Sequence, residues 1–197
     1  MSISTALAAK IVWLLGIVAW YVIRYPFERR AKRVRVVTDR RSLLDRVGLV
    51  SAVLGMAVLP AIYVFTGFPD TADYPARWWA VVLGAAIVVA GLWTFRRSHK
   101  ELGRNWSITL EIRDEHRLIS SGPYALVRHP MYTSFFLIAL GQLFLLPNWF
   151  AGPIGLVGFA VLFFVRVAKE ERMMLETFGP QYTTYMGRTK RLIPYIY

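Results

Sequence analysis

Apolar residues run through this chain in five blocks, at 5–23, 47–65, 78–95, 131–146 and 149–165, instead of being spread at the spacing of a soluble core. A bilayer's hydrocarbon layer takes roughly 20 apolar residues in helical form, because each residue rises only about 1.5 Å and no backbone polar group can stay unpaired in lipid. The blocks therefore predict an all-α integral membrane protein of about five transmembrane helices. Pro60 interrupts the second block, which a membrane helix tolerates as a kink. Pro147-Asn148 is so short a link that the fourth and fifth blocks must form an antiparallel helical hairpin. Lys10, the single charge in the first block, lies near one end, where a long side chain reaches headgroups. A signal peptide is the rival reading of that block, but its apolar stretch exceeds an h-region of about 7–15 residues and no small-x-small cleavage site follows.

Charge adds orientation. Residues 24–46 hold nine Arg or Lys against Glu28, Asp39 and Asp45, whereas residues 67–75 carry only Asp70 and Asp73. Basic segments stay on the cytoplasmic side, so 24–46, 96–130 and 166–197 are expected there, with 67–75 and the hairpin tip outside. The net charge of +12 raises nucleic acid as a partner. It is confined to segments flanking membrane helices, so anionic lipid headgroups are the expected partner and nucleic acid is not. The chain has no Cys, which removes disulfides and thiolate metal sites. His99, His116 and His129 lack the i,i+4 pairing of helical zinc sites, so no metal is expected.

Two segments outside the blocks are too patterned to be plain loops, 96–130 and 166–197. The hairpin brings the end of the first, Gly122-Pro-Tyr-Ala-Leu-Val-Arg-His-Pro130, to the start of the second, Arg166-Val-Ala-Lys-Glu-Glu-Arg172. A cleft with Arg, His and two carboxylates at a membrane boundary is a site hypothesis. If the fifth helix continues past the membrane surface, Arg166 and Glu170 share a face and Glu171 is turned about 100° away. The same residues equally describe a solvated helix end with an ordinary surface ion pair. His129 and Pro130 equally describe a helix start, and Tyr124 and Tyr132 interfacial aromatics. Gly152, Gly155 and Gly158 lie inside an apolar block and read as helix packing, not as a nucleotide loop.

Leu102-Gly-Arg-Asn-Trp-Ser107, then Leu118-Ile-Ser-Ser-Gly-Pro-Tyr-Ala-Leu-Val-Arg-His-Pro-Met-Tyr132, an apolar hairpin, Glu170-Glu171, Phe178-Gly-Pro-Gln-Tyr182 and Arg191-Leu-Ile-Pro194 together resemble the isoprenylcysteine carboxyl methyltransferase family. That family is related to membrane phospholipid N-methyltransferases. The resemblance covers about the last hundred residues and implies a methyltransferase core at 96–197, with residues 1–95 supplying the first three membrane helices. It implies S-adenosylmethionine as methyl donor, in a cytoplasmic pocket lined by Gly122, Tyr124, Val127, Arg128, His129, Pro130, Tyr132, Gly141, Glu170 and Glu171. Arg166 and Glu170 match the family's critical pair, where the acceptor carboxylate meets the methyl group. Where the family often has Gly, this chain has Ser134, small enough to keep close helix packing.

The implied acceptor is the carboxylate of an isoprenylcysteine-like molecule reaching the site from the bilayer. Phospholipid amines and small thiols stand as alternatives. A phosphatidylethanolamine amine must lose a proton and needs a carboxylate base, whereas a carboxylate nucleophile needs an Arg to hold it. A nicotinamide-dependent sterol reductase relative is a more distant alternative, disfavoured by the short chain. A non-enzymatic lipid-binding scaffold accounts for residues 24–46 and not for the ordered motifs.

Overall fold

The computed structural model describes residues 4–31, 36–39, 43–103, 111–113 and 118–197. His116 and most of the 102–107 motif lie outside the described residues, as does part of the basic segment 24–46. Helix α1 spans Thr5–Ala31. Helix α2, Leu43–Val53, passes through a wider π turn at Leu54–Val58 into α3, Leu59–Thr66, with Pro60 in the first turn of α3. Helix α4 spans Trp78–Leu102, α5 Pro130–Leu145, α6 Ile154–Phe178 and α7 Pro180–Arg188. Two short strands, β1 at Val36–Asp39 and β2 at Glu111–Arg113, pair antiparallel. This ribbon is an addition to the expected all-helical architecture.

Among the described residues three helical segments, Thr5–Arg30, Leu43–Thr66 and Trp78–Leu102, are long and apolar enough to cross a membrane. Helix α5 is apolar but only 16 residues long, about 24 Å at 1.5 Å per residue. Its partner α6 begins at Ile154, five residues later than the apolar block, because residues 149–153 fold into the turn of the hairpin. The turn is held by Asn148, whose Nδ2 donates to the Pro69 carbonyl and to Asp73 Oδ1, each at 2.7 Å. Its Oδ1 accepts the Phe150 and Ala151 amides.

Small residues set the helix spacing. A Cβ on Gly158 would stand 2.4 Å from the Ser51 carbonyl oxygen, and one on Gly55 2.4 Å from that of Ile154, so α6 lies directly on α2 and its π turn. Buried Ser134 keeps α5 tight against α4, where its carbonyl oxygen faces Gly91. Inside the bundle Gln142 is fully buried, donating to the carbonyls of Gly55 at 3.1 Å and Ala151 at 2.9 Å and accepting from Trp13 Nε1 at 3.3 Å. An unpaired amide in lipid costs several kcal/mol by the usual rough measure, and this one is satisfied on both atoms. Lys10 rests its ammonium 4.5 Å from the centre of the Tyr63 ring, so its charge is met within the bundle by an aromatic face.

The antiparallel course of α5 and α6 puts residue 130 and residues 166–178 at the same end of the bundle. Helix α4 ends there too, since the Ser121 hydroxyl donates to Glu101. A buried cluster of Tyr132, Ala139, Phe159, Leu162, Phe163, Val167 and Leu192 fills the bundle below that end.

Candidate active site

His129 precedes α5, and Pro130 opens it at the first helical position, where its missing N–H costs nothing. Upstream, Gly122 begins a single 3-10 turn, Gly122–Ala125, with φ of +58°. A Cβ there would meet the Glu101 carboxylate at 2.9 Å, so both conformation and space call for Gly. Downstream, the chain after α7 returns alongside. The Arg128 amide donates to the Lys190 carbonyl at 2.7 Å and the His129 amide to that of Arg191 at 3.0 Å. The Thr133 hydroxyl donates to the Leu192 carbonyl at 2.7 Å. The two patterned segments thus meet through main-chain hydrogen bonds, and α6 supplies the carboxylates between them.

Glu171 is the hub. Its side chain is only 6% exposed. Arg128 Nε donates to Oε1 at 2.9 Å, while Arg191 donates through Nε to both oxygens at 3.1 Å and through Nη2 to Oε2 at 2.7 Å. His129 Nε2 stands 3.4 Å from Oε1. Burial alone would push this carboxyl's pKa up, but the hydrogen bonds from His129, Arg191 and Arg128 reverse that and hold it well below the usual carboxylate range. Arg128 continues to the carbonyls of Met186 and Thr189, tying α7 to the same hub. Tyr185 of α7 donates its hydroxyl to the Tyr124 carbonyl at 2.6 Å.

Glu170 faces another way, as the 100° turn predicts. Tyr132 donates to its Oε1 at 2.7 Å, Arg166 Nη2 lies 3.2 Å from the same oxygen, and His129 Nδ1 is 3.6 Å from Oε2. The Arg166 side chain is 8% exposed. The surface ion pair that residue spacing alone allowed is therefore not what forms: this guanidinium is buried, and a buried charge persists only when paired. Burial works against its charge, and Glu170 and Asp45 favour it. Tyr132 links the polar cluster to the aromatic one, packing edge-on to Phe163 at 5.5 Å.

Of the predicted residues, Arg128, His129, Tyr132, Arg166, Glu170 and Glu171 share one connected network. Tyr124 and Val127 are buried beside it and Pro130 starts the helix that carries it. Gly141 lies apart from that network. It lies nine residues past Tyr132, about 14 Å along the helix. A Cβ there would meet Val88 Cγ2 at 2.5 Å and the Gly84 carbonyl oxygen at 2.9 Å. At that place it is a packing glycine between α5 and α4. Arg191 and Tyr185 carried no assigned role in the sequence, although Arg191 stood in a quoted motif; nothing in a twenty-residue separation announces a pair with Glu171. A cavity of about 580 Å³ opens between Leu118, Ser120 and Ala125 on one side and Gln181, Thr184, Tyr185, Arg188 and Thr189 on the other. Among the described residues no group of His, Asp and Glu suits a metal ion.

The isoprenylcysteine carboxyl methyltransferase (ICMT) family matches residues 80–176. Protein-S-isoprenylcysteine O-methyltransferase B of Arabidopsis thaliana is 29% identical over 147 residues, 72% of this chain and 71% of that one. The Saccharomyces cerevisiae protein-S-isoprenylcysteine O-methyltransferase is 26% identical, covering 94% of this chain and 79% of its own. The solved structure of the eukaryotic intramembrane Ras methyltransferase ICMT, without a monobody, superposes with a TM-score of 0.57 at 26% identity, over 81% of this chain. This chain spans 55% of that longer one. The residues of the network lie within the matched segment or after it, on α5, α6 and the returning tail, and over that segment the chain is similar to the isoprenylcysteine carboxyl methyltransferase family.

Proposed function

We propose that this membrane methyltransferase moves a methyl group from S-adenosylmethionine to the carboxylate of an isoprenylcysteine-like acceptor, at the cytoplasmic end of its helix bundle. The observation that carries the reading is Arg166, a buried guanidinium where the polar network meets the aromatic cluster of Tyr132, Phe159 and Phe163. A lipophilic acid suits that boundary. Its chain stays among apolar side chains, and its carboxylate takes charge-assisted hydrogen bonds from Arg166.

The donor supplies an electrophilic methyl on a sulfonium. Transfer to a carboxylate oxygen forms one C–O bond and breaks one C–S bond, the electron pair going to sulfur, with no proton to remove. The protein's work is then orientation and exclusion of water. Arg166 aims the acceptor oxygen, Glu170 holds Arg166, and the Tyr132 hydroxyl holds Glu170. Glu171 is engaged by the guanidinium groups of Arg128 and Arg191 and by the His129 ring, so Glu170 is the carboxylate suited to a cationic donor. The 580 Å³ cavity falls within the usual range of ligand pockets, roughly 300–1,000 Å³, and its hydroxyls and Gln181 suit a polar nucleoside. Gly122, Tyr124, Val127, Arg128, His129 and Pro130 belong to the same chain segment as the cavity's Leu118, Ser120 and Ala125 wall and are the residues we assign to holding the donor. An amine acceptor would need a base, and Glu171, held anionic by its partners, is a poor one.

Orientation rests on charge. Arg29, Arg30, Arg96, Arg97, Lys100 and Arg172 gather at the site end, whereas the other end carries Asp70 and Asp73 beside Arg77, which supports a cytoplasmic site. The same basic residues suit anionic headgroups.

The test is radiolabelled methyl transfer to prenylcysteine, phospholipid and small-thiol acceptors by protein in lipid, with calorimetric titration of S-adenosylmethionine and NADPH. Methylation of prenylcysteine alone is expected. Methylation of phospholipid or thiol instead overturns the acceptor, and binding of NADPH without S-adenosylmethionine overturns the chemistry.

A further inference from the structure

Asp45 stands at the end of the basic segment, outside the motifs that carry the family resemblance. In the first turn of α2 it is 4% exposed, and its carboxylate forms a close ion pair with Lys169 of α6. One helical turn further along α2, a Cβ on Gly48 would lie 3.2 Å from the Leu162 backbone. Positions 45 and 48 of α2 therefore lie along positions 169 and 162 of α6, and the stretch they bracket contains Arg166. Lys169 is three residues from Arg166, on a neighbouring row of the same helix. A buried carboxylate is costly unless cations meet it. Here Lys169 meets it directly, and Arg166, on the α6 stretch that α2 lies along, carries a charge that Asp45 favours.

We infer that Asp45 is a positioning residue for the methyl-transfer site: packed on α6 beside Lys169, it acts on Arg166 as a second carboxylate besides Glu170 and fixes the direction in which the guanidinium meets the acceptor carboxylate. The inference rests on the acceptor reading above for its consequence, and on the packing of α2 against α6 for its geometry. It makes the first half of the chain a contributor to the site and not only a set of membrane anchors. The competing explanation is that Asp45 merely staples α2 to α6 through Lys169.

Three variants in lipid separate these: Asp45→Asn, Asp45→Glu and Lys169→Met. Each is followed by thermal unfolding, by KM for a prenylcysteine analogue and for S-adenosylmethionine, and by the rate at which phenylglyoxal labels Arg166, read by peptide mass spectrometry. Asp45→Asn is expected to raise acceptor KM about tenfold and to speed labelling of Arg166, because loss of an adjacent carboxylate weakens the hold on a buried cation. The KM for S-adenosylmethionine stays unchanged. Asp45→Glu, charge kept but reach altered, gives intermediate values. Lys169→Met lowers thermal stability while acceptor KM and labelling remain as in the wild type. Equal kinetic losses in Asp45→Asn and Lys169→Met, tracking stability, overturn the inference in favour of a staple. If Asp45→Asn does not fold, Asp45→Glu decides, and wild-type acceptor KM and labelling in that variant overturn it. If the wild type methylates no prenylcysteine, the acceptor reading falls, while labelling still reports whether Asp45 acts on Arg166.

Discussion

Arg191 holds Glu171 from twenty residues further along the chain, Nε lying 3.1 Å from both carboxylate oxygens and Nη2 2.7 Å from Oε2. Arg128 approaches the same carboxylate from the other flank at 2.9 Å. One side chain of α6 thereby fastens the segment before α5 to the segment after α7. Those are the two walls that must stay together for any pocket between them.

Removing the hub leaves Arg128 buried without its carboxylate. Glu171→Ala is expected to destabilise the protein by about 3 kcal/mol, the scale for stripping one partner from a buried ion pair. Thermal unfolding in lipid or detergent measures it. Arg191→Ala, which leaves Arg128 in place, should cost less and loosen the tail at 189–197, seen as faster hydrogen exchange there.

The depressed Glu171 pKa gives stability a pH signature. A carboxyl whose folded pKa lies below its unfolded value of about 4.3 contributes stability above that value and loses it as pH falls toward the folded pKa. Unfolding temperature should hold from pH 7 to about 5 and then fall. In Glu171→Gln that acid limb should be shallower, and an identical limb in both proteins would assign it to other carboxylates.

Arg166→Lys keeps the charge but not the planar fork that matches a carboxylate. Methyl transfer should drop by roughly two orders of magnitude, as for loss of a preorganised donor, with thermal stability close to the wild type. Tyr132→Phe removes only the hydrogen bond to Glu170, a contribution of about 1 kcal/mol, so its loss of turnover should be nearer tenfold. Both are read in the methyl-transfer assay.

Gly141→Val tests whether that residue serves helix packing or the cofactor pocket. Overpacking the contact with Gly84 and Val88 is expected to cost about 1–3 kcal/mol and to lower the yield of folded protein. Calorimetric titration of the folded fraction should give wild-type affinity for S-adenosylmethionine, whereas a selective loss of affinity would return Gly141 to the pocket.

Residue pattern alone determined the apolar helices, the hairpin and the ordering of motifs along the chain, because insertion into lipid is a local demand on composition and length. It also placed Arg166 and Glu170 on one helical face and turned Glu171 away, since helical geometry needs no tertiary information. Burial was not legible in this way. The i,i+4 spacing of Arg166 and Glu170 is identical in a solvated helix end and in the enclosed site that the tertiary structure forms. Gly141 stood among the pocket residues that the resemblance implies, and only the fold brought α4 against it. The pairs Glu171 with Arg191, and Lys169 with Asp45, join residues 20 and 124 positions apart. Only packing selects such partners, because a charge carries no record of which opposite charge the fold will bring within reach.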